Sequence, residues 1–297
     1  MYLPDFIYHK PQNLQEACSL LEKSENGAAI AGGTDVLVEM KKELRNNNEL
    51  ISLSGISELK IINEDDKNLY IGAAVTHNEI IESSLIKKSF SVLSETAKEI
   101  GSDQIRNTGT IGGNLCTGAS CCDMAPVLIA GNANLEVVSV RSKRNISIKD
   151  FFLNHKKTSL EKGEILSRII IPKVKAGSGI SFLKFGLREA ASISVASSAV
   201  MIRIDGNVVA DSMVVVGAVA PTPVVSKSAS DILNGEKIDE IETNLMLLDK
   251  VGEAVKKDSL PIDDIRGSAY FRRNLVKTLS QRTLIEAINR AKKSLKK

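Results

Sequence analysis

The sequence predicts an α+β fold, and three patterns in its 297 residues carry that prediction. Short apolar runs alternate with helix-period segments as far as Pro172. Three β-branched runs then follow one another around tight turns, and from about Ser226 onward the spacing is helical.

Taken in order, Asn13 followed by Glu16 has the form of a helix N-terminus of capping-box type. Leu14, Ala17, Cys18 and Leu21 recur at helical spacing and mark one buried face, which Asn26-Gly27 ends. Residues 28–31 are small and apolar, a buried strand that stops at Gly32-Gly33-Thr34-Asp35 before Val36, Leu37 and Met40 open a helix. Residues 50–53 form a second buried strand. Residues 60–63 and 69–73 flank the polar turn Asp65-Asp66-Lys67-Asn68 as a hairpin. Thr76 with Glu79 is a second capping box, and one long amphipathic helix is predicted over residues 85–100. Residues 101–126 are rich in Gly, Ser, Thr, Asn and Cys without a hydrophobic period, which predicts a long irregular segment of the kind that carries function. Strands resume at residues 135–140 and 165–171, and the polar stretch 173–179 is the best domain boundary. Residues 181–185, 196–204 and 211–219, with the turn Asp205-Gly206-Asn207, predict a three-stranded antiparallel meander. Helices are predicted over residues 238–256 and 267–293.

The composition is 43% hydrophobic and 25% charged, an ordinary globular balance. At roughly 100–150 residues per domain the length suggests two or three domains. Aromatic residues make up only 4% and Trp is absent, which argues against a stacking platform for nucleic acid. The net charge is +3, and the basic residues Arg290, Lys292, Lys293, Lys296 and Lys297 read as a solvated helix end. No stretch approaches the roughly 18–20 apolar residues that span a bilayer. Met1 to Phe6 lacks the basic-then-apolar form of a secretory signal, and four cysteines make no disulfide framework at this length. A cytoplasmic location is expected.

Two glycine clusters are the candidates for chemistry. Ala31-Gly32-Gly33-Thr34-Asp35 sits between a predicted strand and a predicted helix, where glycine permits a sharp turn and free amides form a nest for an anion. Taken alone, this cluster fits a plain strand-to-helix turn equally well. Gly109-Thr110-Ile111-Gly112-Gly113-Asn114 follows the same logic, with exposed amides and a side-chain amide able to donate to phosphate oxygens. Two such loops suit the two phosphates of a dinucleotide. No G-x-G-x-x-G and no G-x-x-x-x-G-K-[ST] is present, so the binder is neither a Rossmann domain nor a P-loop.

Ala29-Ile30-Ala31-Gly32-Gly33-Thr34-Asp35-Val36 resembles the first FAD loop of the flavin subunits of molybdenum hydroxylases, a family that includes xanthine and carbon monoxide dehydrogenases. Gln104 to Leu115 resembles its second FAD loop. Asp123-Met124-Ala125-Pro126, Gly163-Glu164-Ile165-Leu166, Phe182 to Val195 and Gly217 to Pro223 follow in the family's order. The resemblance implies a two-subdomain, PCMH-type FAD-binding domain over residues 1–174, with subdomains at about 1–55 and 56–174. It implies a C-terminal domain over 175–297, with a three-stranded antiparallel sheet and a helical bundle. It further implies that the amides of Ala29, Ile30, Ala31, Gly32, Gly33, Thr34, Asp35 and Val36 wrap the pyrophosphate of noncovalent FAD. Thr110, Ile111, Gly112, Gly113 and Asn114 would hold its other side. Asp123 would accept from the ribityl hydroxyls, while backbone at Leu166 and the side chain of Lys184 approach the isoalloxazine. Ile100 would pack near the cofactor or simply in the core.

Cys116, Cys121 and Cys122 form a C-x4-C-C cluster beside the second loop. An iron–sulfur cluster needs four thiolates, and Cys18 belongs to a helix face, so these read as structural thiols. His9, His77 and His155 lack ligand spacing and read as structural or exposed. A bound flavin does its own redox chemistry, so no catalytic side chain and no metal site are expected here. The resemblance implies a large molybdenum-cofactor subunit and a small [2Fe–2S] subunit as partners, with electrons passed from the clusters to FAD and on to NAD⁺ or another acceptor. Xanthine or a related purine is the substrate the overall resemblance favours. Two rival readings remain: a self-sufficient flavin-dependent reductase of the same fold, and a flavin-free scaffold.

Overall fold

The computed structural model describes residues 2–189 and 191–296. Strands Ile7–His9, Glu49–Ser52 and Gly27–Ile30 form a parallel three-stranded sheet with Glu49–Ser52 in the middle. Its central residues Leu50 and Ile51 are fully buried, as expected for a parallel strand covered on both faces. Helix Leu14–Lys23 buries Leu14, Ala17 and Cys18, and the Asn13 side chain accepts from the Glu16 amide. The return bond of that cap comes from the Gln12 amide to Glu16 Oε2, 2.7 Å, one residue before the cap.

A second sheet is antiparallel, in the order Ile62–Glu64, Asn68–Gly72, Ile165–Pro172, Asn134–Val138, Lys143–Ser147. The hairpin predicted around Asp65 is present, with Asp65 Oδ1 accepting from the amides of Lys67 and Asn68. Edge strand Lys143–Ser147 and the small hairpin Phe152–Asn154/Lys157–Thr158 were not foreseen.

The helices correct three expectations. Residues 85–100 hold two helices, Ser84–Ser89 and Ser91–Lys98, broken at Phe90 with φ −155° and ψ 62°. The break turns the Phe90 ring inward, where it is 3% exposed and lies against Gly131. Residues 101–126 are not irregular: they contain helices Asp103–Thr108 and Ile111–Cys116 and the start of Met124–Ala130. The first two have six residues each, too few for an apolar period to repeat, and the third is buried on every side. The predicted helix over 238–256 is divided into Ile238–Thr243 and Leu245–Asp258, because the Asn244 side chain accepts from the amides of Met246 and Leu247 and starts a new helix. Helix Lys227–Leu233 opens the stretch expected to be helical from about Ser226, where the spacing delimits no separate helix.

The C-terminal sheet runs Ser178–Gly186, Ser194–Asp205, Val208–Gly217, Val224–Val225, all antiparallel. The two-residue fourth strand extends the predicted three. Helix Ala269–Ser294 packs across the first two strands and buries Val276, Leu284, Ala287, Ile288 and Ala291. Helix Met124–Ala130 wedges between the halves: Ile180, Ala199 and Val215 of the C-terminal sheet join the same core as Val127, Leu128 and Ile129. Each buried Val, Leu or Ile among these contributes roughly 1.5–3 kcal/mol, so the two halves share a core as well as a seam. No helix among the described residues is long and apolar enough to cross a membrane.

Candidate functional site

A cavity of about 770 Å³ lies between the first glycine loop, the second glycine segment and the start of the C-terminal sheet. That volume lies in the upper part of the range for organic ligands. The first loop leaves strand Gly27–Ile30 and enters helix Val36–Lys41. Gly33 has φ +70°, a conformation that suits glycine. A Cβ on Gly32 would stand 2.0 Å from the Thr108 carbonyl oxygen, so the two loops touch backbone to backbone. Among the described residues, the amides of Gly32, Gly33, Thr34 and Asp35 donate to no protein acceptor. They form the nest of free donors that the sequence suggested.

The second segment works differently from the expectation of exposed amides. The Ile111 amide donates to Val75 O at 3.0 Å and the Gly112 amide to Ala73 O at 2.9 Å. The Gly113 amide is taken by Thr110 Oγ1 and the Asn114 amide by Thr110 O. A Cβ on Gly112 would lie 2.5 Å from Ala73 O, so this glycine lets its helix pack against the turn that follows strand Asn68–Gly72 and forms no cradle. What the segment offers the cavity is side chains. Asn114 Oδ1 accepts from Cys122 Sγ at 2.9 Å, an assigned orientation that leaves its amino group as the free donor. Burial pushes the Cys122 thiol well up, so its proton stays in place to donate.

Asp123, 6% exposed, is held on both oxygens. Ser194 Oγ donates to Oδ1 at 2.5 Å and Lys184 Nζ to Oδ2 at 2.9 Å. Lys184 Nζ also donates to the carbonyls of Glu99 and Ser192, so it joins three segments at the cavity wall. Burial raises the Asp123 carboxyl above the usual range, and the Lys184 ammonium and Ser194 hydroxyl pull it back.

Of the residues singled out from the sequence, Ala29, Ala31, Gly32, Gly33, Thr34, Asp35, Val36, Thr110, Gly113, Asn114, Asp123 and Lys184 all line the cavity. Ile30, Ile111, Gly112 and Leu166 do not. Ile30 and Leu166 are buried within core clusters, Leu166 on strand Ile165–Pro172, and Ile111 is fully buried. Ile100 both packs against the main core and lines the cavity.

Several lining residues had no sequence signal. Ser194 and His77 are brought in by tertiary pairing alone: the bridge Thr76↔Thr110 sets His77 beside the second segment. Thr117 Oγ1 reaches Asp35 Oδ2 across the cavity at 3.2 Å, and Lys156 pairs with Glu39 over the rim. Cys116 and Cys121 also line it, and burial raises both thiols, Cys116 to about 12.

A buried arginine fastens the loop that carries Asp123. Arg272, 2% exposed, donates to the carbonyls of Val195 and Ile262, each at 3.1 Å, and to that of Ala218. It also contacts Asp264 Oδ2 at 3.2 Å. Ala218 has φ 61°, and its amide donates to Ser120 O at 2.8 Å.

Comparison with known proteins matches this architecture. The family model described as the FAD binding domain in molybdopterin dehydrogenase matches residues 4–174. The CO dehydrogenase flavoprotein C-terminal domain matches residues 181–287. The chain is 31% identical over 283 residues to the xanthine dehydrogenase FAD-binding subunit of Escherichia coli O157:H7, covering 95% of each. It is 32% identical over 287 residues to the nicotine 6-hydroxylase medium subunit of Paenarthrobacter nicotinovorans, covering 97% of this chain and 99% of that one. Among solved structures it superposes on a chain of carbon monoxide dehydrogenase from Hydrogenophaga pseudoflava with TM-score 0.93 and 29% identity, over 98% and 99% of the two chains. With both halves matched in order and along nearly the whole length, the chain belongs to the FAD-binding medium subunits of the molybdenum hydroxylase family, alongside those of xanthine and carbon monoxide dehydrogenases.

Proposed function

We propose that this chain binds FAD noncovalently in the cavity between its two glycine segments and serves as the electron-transfer subunit of a molybdenum hydroxylase. The observation that carries the reading is the contact of Gly32 with Thr108, which aims a nest of unpartnered amides and the Asn114 side chain into one space. That donor set fits a pyrophosphate, and a cavity of about 770 Å³ with both polar and apolar wall suits the rest of a flavin dinucleotide. In this reading the free amides of the first loop, Gly32 to Asp35, take one side of the pyrophosphate, and the side chains of Thr110 and Asn114 take the other. Asp123 accepts from the polyol chain, and Lys184 stands at the redox end.

FAD, when bound, supplies the capacity to take single electrons and release them singly or in pairs. The chain's own residues bind, orient and shield. The nest neutralises phosphate charge without a cation. Lys184 keeps the Asp123 carboxylate compensated in a place where an isolated charge would be costly. Ile100 and Leu160 give the cavity apolar wall.

The partners proposed are a large molybdenum-cofactor subunit and a small [2Fe–2S] subunit, with xanthine or a related purine as substrate and NAD⁺ or another acceptor taking the electrons. Support for the purine is overall resemblance. Nicotine, carbon monoxide and xanthine enzymes all supply relatives of similar identity, so the substrate follows from the partner. The domain boundary is placed near residue 174.

Native mass spectrometry of the protein purified gently from its source tests this. Noncovalent FAD together with a molybdenum subunit and an iron–sulfur subunit is the expected result. A lone flavin-bearing chain that reduces a nucleotide substrate unaided would replace the relay by a self-sufficient reductase.

A further inference from the structure

We propose that His77 is a cofactor-contacting residue whose imidazole donates a hydrogen bond from Nε2 to an acceptor atom of the bound flavin nucleotide. The inference rests on the FAD-binding reading above and adds a contact that neither glycine segment supplies.

Placement is the first argument. His77 opens helix His77–Glu82, whose start is fixed by a complete capping box between Thr76 and Glu79. The Thr76↔Thr110 bridge and the bond from the His77 amide to Gly109 O, 3.0 Å, hold it against the second segment. The ring lines the cavity, with Nε2 only 3.7 Å from where a Cβ on Gly109 would stand.

The second argument is the state of the ring. His77 is 2% exposed, and among the described residues no protein group partners its buried Nδ1. An imidazole held this way lowers stability relative to an apolar ring of the same size, so nothing in the packing explains a histidine here. Arg106, on the neighbouring helix Asp103–Thr108, carries a second buried atom without a protein partner, the donor Nε. Burial first, and the Arg106 charge second, keep the ring neutral down to about pH 4. A buried acceptor without a partner is better tolerated than a buried N–H without one, which favours a bare lone pair on Nδ1. The single proton then belongs on Nε2, at the cavity side. The result is a donor that adds no charge beside phosphates and flavin.

The test uses the full chain stripped of flavin, titrated with FAD by fluorescence quenching, together with urea unfolding of the flavin-free form. His77→Phe is expected to weaken FAD binding about tenfold, while its flavin-free unfolding midpoint stays level or rises. His77→Gln, which carries a donor to similar reach, recovers most of the affinity. If His77→Phe binds FAD as the wild type does, the contact is absent. If it lowers flavin-free stability and affinity together, the ring is structural, for instance bridged by water to Arg106. Failure of the wild-type chain to bind FAD at all would overturn the functional reading, and with it this contact.

Discussion

Lys184 and Asp123 lie 61 residues apart in sequence and 2.9 Å apart in space, each about 8% exposed at its side chain. The lysine stands on the first strand of the C-terminal sheet, and the aspartate stands just before the helix that wedges between the halves. The pair therefore closes the cavity with one residue from each half.

Removing one member of such a pair leaves an uncompensated buried charge. Lys184→Met is expected to destabilise the chain by about 3–5 kcal/mol, read from urea unfolding. Adding Asp123→Asn should recover a large part of that loss, because the carboxylate then no longer needs a cation. Equal stability of the single and double variants would show that the pair is not coupled.

The Gly32 contact permits no side chain, since the atom it would meet is backbone on both sides. Gly32→Ala should push the loops apart and weaken FAD binding by at least tenfold, about 1.4 kcal/mol or more. Gly55, with nothing near its Cβ position, is the control: Gly55→Ala should leave binding unchanged. Isothermal titration of the two flavin-free variants separates them.

Cys122 acts through Asn114. Cys122→Ala removes the thiol donor, frees the carboxamide to flip, and should cost about 1 kcal/mol of FAD affinity. In a double-mutant cycle with Asn114→Ala the two losses should overlap. Full additivity would mean that the thiol does not orient the amide.

Acid should act in two windows. His77 has its folded pKa depressed from 6.5 to about 4, so the buried ring carries no protonation penalty above 6.5 and destabilises the folded chain increasingly as pH falls from 6.5 toward 4. Asp264 is held at about 2 by its hydrogen bond to Arg266, with 3.8 as its ordinary value. Its contribution, on the order of 2 kcal/mol, is present above 3.8 and disappears between about pH 4 and 2. Unfolding midpoints against pH should lose the upper step in His77→Phe and the lower step in Asp264→Asn.

Much of this was legible before the structure. Capping residues at Asn13 and Thr76, the hairpin at Asp65 and the three-stranded meander are local signals, and local signals survive folding. The first glycine loop was legible too, because a strand, two glycines and a helix allow little else. What escaped depends on distant contacts. The ring of Phe90 breaks a helix only because Gly131 leaves room for it. Helix Ile111–Cys116 is one turn and a half, shorter than the period by which a helix is read. Its glycines suggested free amides, yet Ala73 and Val75 take two of them. His77, Ser194 and the Lys156–Glu39 pair meet only through tertiary pairing, which no spacing encodes. Leu166 was expected to approach the flavin through its backbone; its side chain faces the core from the centre of a sheet.

Ala218 gives the last of these contacts a mechanical meaning. An alanine at φ 61° sits about 1–2 kcal/mol above its relaxed conformation, and Arg272 on its carbonyl and Ser120 on its amide hold it there. It behaves as a cocked latch between the C-terminal sheet and the loop of Asp123. Glycine at this position would relax the latch and could raise overall stability, yet it would slacken the alignment of the two halves. Thermal tolerance and cofactor grip would then move in opposite directions at a single methyl group.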